Sequence, residues 1–304
     1  MEDIFAGQGY GKEMKYAYYP GCSLHSTAKE YDHSLRAACT RLGIELVEIK
    51  GWFCCGSSPV HSVSRLLASA LALGNLALVP KMGLTGVVVP CLACFSRFKS
   101  ALYNLEHEPG LKQEMKQVLK EGWSKSVKVY HPLQIFSEEA QLAKISSLVR
   151  WELADLKVVC YYGCLLTRPP KVTQFDICEY PESMDKVLRA LGIATLDWSY
   201  KTDCCGGSFA LTRTDIVLKL SHDILEGAKS VGADVIAVAC PLCQANLDTR
   251  QEEIERTYGT SYRLPILYFT QLMGISFGLS PKELLLGKHF VDAERKLAEV
   301  SQHA

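Results

Sequence analysis

The sequence carries no excess of charge of either sign: 33 Lys and Arg balance 33 Asp and Glu across 304 residues. That balance leaves no broad basic footprint for nucleic acid or anionic lipid. A long apolar run is missing as well. The most apolar stretch, Leu66 to Pro80, has 15 residues and holds Gly74 and Asn75. A membrane-spanning helix needs about 20, so no transmembrane segment is expected. The N-terminus, MEDIFAGQGYGKEMK, is acidic early and has no apolar centre, unlike a secretory leader; a cytoplasmic protein is expected. Gly9 and Gly11 have no strand before them, so they make no dinucleotide-binding fingerprint. No flavin or nicotinamide site is expected in the chain.

What the sequence has instead is cysteine. Ten of its 13 cysteines fall into two constellations: Cys22, Cys54-Cys55 and Cys91-x-x-Cys94, then Cys164, Cys204-Cys205 and Cys240-x-x-Cys243. From the lone cysteine to the vicinal pair run 31 residues in the first and 39 in the second; from the pair to the C-x-x-C run 35 and 34. Flanking residues repeat too. Tyr-Pro-Gly-Cys22 is echoed by Tyr-Tyr-Gly-Cys164, and Phe-Cys-Cys-Gly56 by Asp-Cys-Cys-Gly206. A period this long indicates duplication of a small domain and not a solenoid. Two domains also suit the length, and 48% hydrophobic residues suffice for real cores. The expected division is an N-terminal tail at 1–14, domains at 15–150 and 151–280, and a C-terminal extension at 281–304, with Ser137 to Asp155 bridging the halves.

Disulfide scaffolds belong to small secreted domains. In a reducing compartment, clustered cysteines serve metals or redox chemistry. The pattern around them is α/β. Strands are predicted at Lys15–Tyr19, Glu45–Ile49, Thr85–Val89 and Val127–Tyr130, and again at Lys157–Tyr161, Thr195–Trp198, Asp234–Val238 and Ile266–Phe269. Helices are predicted between them: Ala28–Leu42, Ser62–Leu78, Ser96–Glu106 and one from Leu133, then Ser183–Leu191, Asp215–Ser230, Gln244–Tyr258 and one from Gln271. An insertion is expected around Pro169 to Phe175. Alternating strands and helices imply a parallel sheet with all strand ends on one edge. Each cysteine group lies just past a strand, and ligands of such sheets bind beyond that edge.

A tetrahedral zinc or a cubane [4Fe-4S] cluster takes four protein ligands, and each half offers five thiols. Adjacent cysteines diverge, which is awkward for one small ion but suits different irons of a larger cluster. Softness of thiolate selects zinc or iron-sulfur; the surplus ligand and the vicinal pair favour iron-sulfur. A zinc-bound structural module stays open as the other possibility.

This doubled pattern resembles the CCG cysteine-rich domain, and the pair of domains is similar to the B subunit of heterodisulfide reductase, from about Lys15 to Val291. The stretch Tyr268-Phe-Thr-Gln-Leu-Met-Gly, with Lys288-His-Phe-Val-Asp, is also like the C-terminal end found in that family. The resemblance implies an α/β fold of two tandem pseudo-symmetric CCG domains, each with a small, mostly parallel sheet flanked by helices. It implies two noncubane [4Fe-4S] clusters. Cys22, Cys54, Cys55, Cys91 and Cys94 would hold one; Cys164, Cys204, Cys205, Cys240 and Cys243 would hold the other. It further implies an oxidoreductase that cleaves a disulfide homolytically between facing clusters, in methanogens the mixed disulfide of coenzyme M and coenzyme B. The implied partners are a C subunit with cubane [4Fe-4S] clusters and a flavin-containing, electron-bifurcating A subunit, fed by a hydrogenase or formate dehydrogenase. CCG domains also serve as electron relays to quinone beside glycolate, lactate, glycerol-3-phosphate and succinate dehydrogenases, which gives an alternative function.

Cys39 and Cys160 are expected in the core, and Cys178 in the inserted region. His25, His61, Arg97 and Lys201 lie near motif cysteines, where they could protonate a leaving thiolate or hold an anionic substrate. Packing or solvated roles are the default for all four. Gly56 and Gly206-Gly207 are expected to take positive φ or to let the backbone approach a cluster.

Overall fold

Short runs of β-branched and aromatic residues form two sheets in the computed structural model, which describes residues 14–57, 60–119 and 127–301. The expected N-terminal tail lies outside the described residues except for Met14, which already begins a strand. The first half runs β1 (Met14–Tyr18), α1 (Gly21–His25), α2 (Lys29–Arg41), β2 (Ile44–Glu48), α3 (Val60–Val63), α4 (Arg65–Leu76), β3 (Gly86–Val88), α5 (Leu92–His107), α6 (Pro109–Val118), β4 (Lys128–Tyr130), α7 (Pro132–Phe136) and α8 (Glu139–Ser147). The second runs β5 (Lys157–Tyr161), α9 (Cys164–Thr167), α10 (Pro170–Thr173), α11 (Ser183–Ala190), β6 (Ala194–Leu196), α12 (Thr214–Ser230), β7 (Val235–Val238), α13 (Pro241–Asp248), α14 (Gln251–Tyr258), β8 (Ile266–Tyr268), α15 (Phe269–Ser276) and α16 (Ala293–Ser301).

Every strand pairing is parallel, in the orders β2-β1-β3-β4 and β6-β5-β7-β8. Strands β3 and β7 are apolar and buried, as a sheet covered on both faces requires: Val87 and Val88 in β3, Val235 to Val238 in β7; β1 and β5 each carry an exposed lysine near their start, Lys15 and Lys157.

The halves dock by exchanging equivalent helices. Helix α2, which follows the first strand, packs on α15, which follows the last strand of the other half; α11 packs on α7 in the reciprocal pairing. Two homologous contacts of this kind describe an approximate two-fold relation. Tyr31 of α2 stacks on Tyr268 at 4.2 Å and 8°, an arrangement that contributes about 1 kcal/mol beyond area burial. Ser34 and Thr270 share a 2.6 Å hydrogen bond beside it. The bridging segment contains α8, which holds both halves: Lys144 Nζ donates to Leu42 O at 2.6 Å and Ser146 Oγ to Ala190 O at 2.8 Å. The C-terminal extension packs back on the second half. There Asp248 accepts the amides of Phe290 and Val291, and Gln271 donates to Leu284 O.

Three predicted helices differ from those observed. The helix expected from Ser96 begins at Leu92, because Cys91 is extended (φ −76°, ψ 120°) and acts as its N-cap residue; Cys94 therefore lies in the first turn and not in a preceding loop. The helix expected over Gln244–Tyr258 begins at Pro241, whose fixed φ suits a first turn, and it breaks at Thr249-Arg250 so that Gln251 can bond both backbone groups of Leu264. Ser64 splits the expected Ser62–Leu78 helix by capping α4, its hydroxyl accepting Leu67 N at 3.2 Å.

Candidate metal centre

In each sheet the strand order reverses direction at the first strand, which sits between the second and third. A crevice opens at such a point beyond the strand ends. The segments leaving β2, β1 and β3 carry Cys54-Cys55, Cys22 at the start of α1, and Cys91 with Cys94 at the start of α5. The segments leaving β6, β5 and β7 carry Cys204-Cys205, Cys164 at the start of α9, and Cys240 with Cys243 at the start of α13.

The thiols meet in the same way in both halves. Cys55 and Cys94 sulfurs share a hydrogen bond at 3.0 Å, and Cys205 and Cys243 sulfurs one at 3.5 Å. The Gly56 amide donates to Cys54 Sγ at 3.4 Å and the Gly206 amide to Cys204 Sγ at 3.3 Å. Both glycines take the positive φ expected of them, +74° and +76°; Gly207 does not. Cys55, Cys91, Cys94, Cys205, Cys240 and Cys243 are buried, whereas Cys22, Cys54 and Cys204 are exposed. Each site thus has a closed inner side and an outer edge. The inner sides adjoin across the seam between the halves: Cys91 and Cys240 each shift the other's acidity, and a Cβ on Gly163 would lie 3.6 Å from Leu92 Cδ1.

Shared protons split the acidities of these thiols. Hydrogen bonding from Cys94 brings Cys55 down to about 6, and bonding from Cys164 brings Cys204 down to about 6. Their partners move the other way: Cys94 and Cys164 are pushed well up. Burial opposes ionisation of Cys240, but bonds from Cys243, Cys91 and backbone amides outweigh it and hold that thiol well below its usual value.

A buried tyrosine lies beside each vicinal pair. Burial first, and then the charges of Cys94, Cys55, Cys54 and Cys22, raise the Tyr19 phenol well above its usual value, and burial with Cys205, Cys243, Cys164 and Cys204 does the same to Tyr161. Tyr19 Oη donates to Phe53 O at 2.7 Å, and Tyr161 Oη donates to Asp203 O at 2.6 Å. Phe53 and Asp203 are the residues immediately before the vicinal pairs, so each phenol pins its Cys-Cys turn from below. The first turn has a second support. Asn75, the polar residue that interrupts the Leu66–Pro80 stretch, bonds both backbone groups of Phe53 at 3.0 Å. Consequently Tyr161→Phe is expected to cost about 1–2 kcal/mol and Tyr19→Phe less, since one lost hydrogen bond costs roughly 1 kcal/mol and an orphaned acceptor more. Alkylation mapped by mass spectrometry checks this. Cys204 and Cys205 should label faster in Tyr161→Phe while Cys54 and Cys55 do not; equal labelling of both pairs would contradict it.

His131 carries no signal in the cysteine pattern. It follows β4 and is fully buried. Its Nε2 lies 3.2 Å from Pro90 O and 3.3 Å from Ala239 O, while Nδ1 accepts Leu133 N at 3.3 Å. Burial pushes the imidazole down to about 4, and the neutral ring with its proton on Nε2 satisfies all three contacts. The available signal is positional. His131 and Tyr268 are equivalent N-cap residues, each amide donating to a glutamine three residues on, Gln134 and Gln271.

The remaining residues near the motifs are placed elsewhere. Lys201 is neither solvated nor aimed at the thiols: it is 3% exposed and paired with Asp185 at 3.1 Å, with Pro181 O at 3.2 Å. His25 is exposed and packs edge-on against Trp52. His61 is exposed and Arg97 half-buried. Cys39 and Cys160 are core residues, and burial raises both thiols. Cys178 is half-buried beside Glu179 at 3.5 Å.

Among the described residues no three His, Cys, Asp or Glu side chains are arranged around a single ion. What each half offers is a set of soft thiols on the segments that leave three strand ends of its sheet. That donor set suits an extended iron-sulfur cluster by ligand type. Room for it is preserved by glycine. A Cβ on Gly21 would lie 3.3 Å from Cys94 Sγ, and one on Gly163 would lie 3.0 Å from Cys243 Sγ.

The cysteine-rich domain model named CCG matches the chain twice, over residues 16–99 and 158–248. Among curated relatives, the 8-methylmenaquinol:fumarate reductase membrane anchor subunit of Wolinella succinogenes is 30% identical, covering 93% of this chain and 99% of that protein. The B subunit of the ferredoxin:CoB-CoM heterodisulfide reductase of Methanosarcina mazei is 27% identical over 94% of this chain and 97% of that one. Among solved structures, a hypothetical protein from Helicobacter pylori superposes with a TM-score of 0.74 at 11% identity, covering 93% of this chain and 53% of that one. This last likeness concerns the fold alone. Among the described residues no helix is long and apolar enough to cross a membrane.

Proposed function

The chain belongs to the CCG cysteine-rich domain family, and on that premise we propose that it is the iron-sulfur subunit of an oxidoreductase complex reducing a disulfide to two thiols. The observation that carries this reading is the adjacency of the two C-x-x-C turns across the seam, where one imidazole nitrogen of His131 lies 3.2 Å from Pro90 O and 3.3 Å from Ala239 O. Two sites that adjoin at their inner sides can act on one substrate. The proposed ligands are Cys22, Cys54, Cys55, Cys91 and Cys94 for one noncubane [4Fe-4S] cluster, and Cys164, Cys204, Cys205, Cys240 and Cys243 for the other. When bound, such clusters supply one electron each and iron sites for sulfur.

The reaction is RS–SR′ + 2 e⁻ + 2 H⁺ → RSH + R′SH, and no cysteine of the chain need be consumed by thiol exchange. The residues of the chain do the holding. The buried thiols and the tyrosines beneath them keep water from the inner sides, while the exposed Cys22, Cys54 and Cys204 mark outer edges where electrons enter. The proposed electron donor is a partner: a C subunit with cubane clusters, itself supplied by a flavin-containing A subunit. That the Methanosarcina mazei relative is named a B subunit supports the presence of partner subunits. Residues 15–150 and 151–280 are proposed as the two duplicated domains.

A second reading has its own support. The Wolinella relative, matched nearly end to end at 30% identity, favours an electron relay between a flavin dehydrogenase or fumarate reductase and a quinone. Both readings require iron. The anaerobically reconstituted protein is expected to hold about eight irons and no stoichiometric zinc, and added thiol should perturb its iron-sulfur EPR spectrum. Zinc in place of iron would overturn both readings, and a spectrum indifferent to thiol would overturn the first.

A further inference from the structure

We propose that His131 is a positioning residue that clamps the two sites together, tying the backbone just before Cys91 to the backbone just before Cys240. Its consequence for one shared disulfide rests on the function proposed above; the clamp itself stands on the geometry. Pro90 and Ala239 are equivalent residues, each the last before a C-x-x-C motif. One imidazole nitrogen reaches the carbonyls of both, at 3.2 and 3.3 Å. It is a single donor shared between the halves.

The surroundings fix that donor in place. Nδ1 is occupied by the Leu133 amide, which sets the tautomer, since the other nitrogen must then carry the proton. Phe95 of the first half and Phe175 of the second stand edge-on to the ring at 6.0 and 6.3 Å. Tyr31 reinforces the same point, its hydroxyl reaching Ala239 O at 3.3 Å from the first half. Because His131 is fully buried, no water replaces the bond if it is removed, and the two C-x-x-C turns lose the contact that holds them in register. Spacing at the seam matters for a reaction that needs both sulfurs of one disulfide within reach of both sites, because a misplacement of about 1 Å can cost 100-fold in rate.

Two substitutions separate clamping from helix capping. His131→Asn keeps an acceptor for the Leu133 amide, asparagine being a favoured N-cap, but is too short to reach Pro90 and Ala239. His131→Gln places an amide donor near the Nε2 position. The test uses the full chain without iron, mildly oxidised with diamide, and measures disulfide-linked peptides by mass spectrometry. The wild type should yield the across-seam link Cys91–Cys240 together with the within-half links Cys55–Cys94 and Cys205–Cys243. His131→Asn is expected to lower the ratio of across-seam to within-half links about tenfold, as loss of about 1.4 kcal/mol would, and His131→Gln to restore it to within about twofold of wild type.

If His131→Asn does not fold, His131→Phe, which fills the ring volume without a donor, must show the same fall. An unchanged ratio in the folded donor-less variant overturns the clamp, and so does an equal fall in His131→Gln. The proposed function fails separately: a wild-type chain that binds no iron would end it and leave this ratio readable.

Discussion

Gly163→Ala is expected to destroy the second site while sparing the first. Gly163 sits at φ +70° and ψ 163°, a region essentially closed to residues with a Cβ, where occupancy costs about 1–3 kcal/mol. The added methyl would also lie 3.0 Å from Cys243 Sγ and 3.6 Å from Leu92 Cδ1 across the seam. Neither neighbour is free to yield: Cys243 is in the first turn of α13, and Leu92 is 1% exposed at the start of α5. Overpacking of this kind costs about 1–3 kcal/mol more. The variant should fold with a lowered melting temperature and hold about four irons, half of the number expected for two [4Fe-4S] sites. Alkylation should then find Cys164, Cys204, Cys205, Cys240 and Cys243 accessible, with the first set protected. Full iron content in Gly163→Ala would show that this glycine does not guard the site.

The second large effect concerns cysteines of different standing. Cys94→Ser and Cys243→Ser are each expected to remove about half of the iron, from the first and second halves respectively, and each alone should abolish disulfide reduction, because one remaining site passes one electron where two are needed. Cys39→Ser gives the contrast. Cys39 is 3% exposed on α2, and a buried hydroxyl without a partner costs about 1–3 kcal/mol, so this variant should lose stability and keep its iron. Iron analysis with thermal melting distinguishes the cases. Full iron in Cys94→Ser, or half-loss in Cys39→Ser, would break the assignment of ligands.

Much of this arrangement is legible in the amino-acid sequence. The alternation of apolar runs with helices marks all eight strands and their parallel pairing, and a strand buried on both faces is continuously apolar, as Val235 to Val238 are; the order of the strands within each sheet is not marked. Spacing of Tyr31, Leu35, Ala38 and Leu42 marks the buried face of α2. The cysteine repeat marks three segments per half that the strand order brings to one edge.

What escapes the sequence is whatever depends on contacts between distant segments. The start of α5 at Leu92 follows from the backbone conformation of Cys91, which residue type does not dictate. Asn75 reads as an interruption and is a hydrogen-bonding partner of the Cys54 turn. Lys201 reads as a surface charge beside the motif, yet Asp185, 16 residues away, takes it into the core. His131 has no cysteine near it in sequence; only the docking of α2 on α15 and of α5 on the second half puts it between the two C-x-x-C turns. The tyrosines at 19 and 161 are visible as repeated letters, and their role requires the distance to Phe53 O and Asp203 O.

The measurement that bears most directly on the pairing of the two sites is a single turnover. The iron-loaded chain, fully reduced by a low-potential dye and then freed of it, is mixed anaerobically with a mixed disulfide, and the thiols released per chain are counted. Two sites acting together predict two thiols per chain in one turnover, with both sites oxidised at the same rate. No thiol release, with the stored electrons passing to a quinone analogue instead, would contradict disulfide reduction and leave the relay reading in its place.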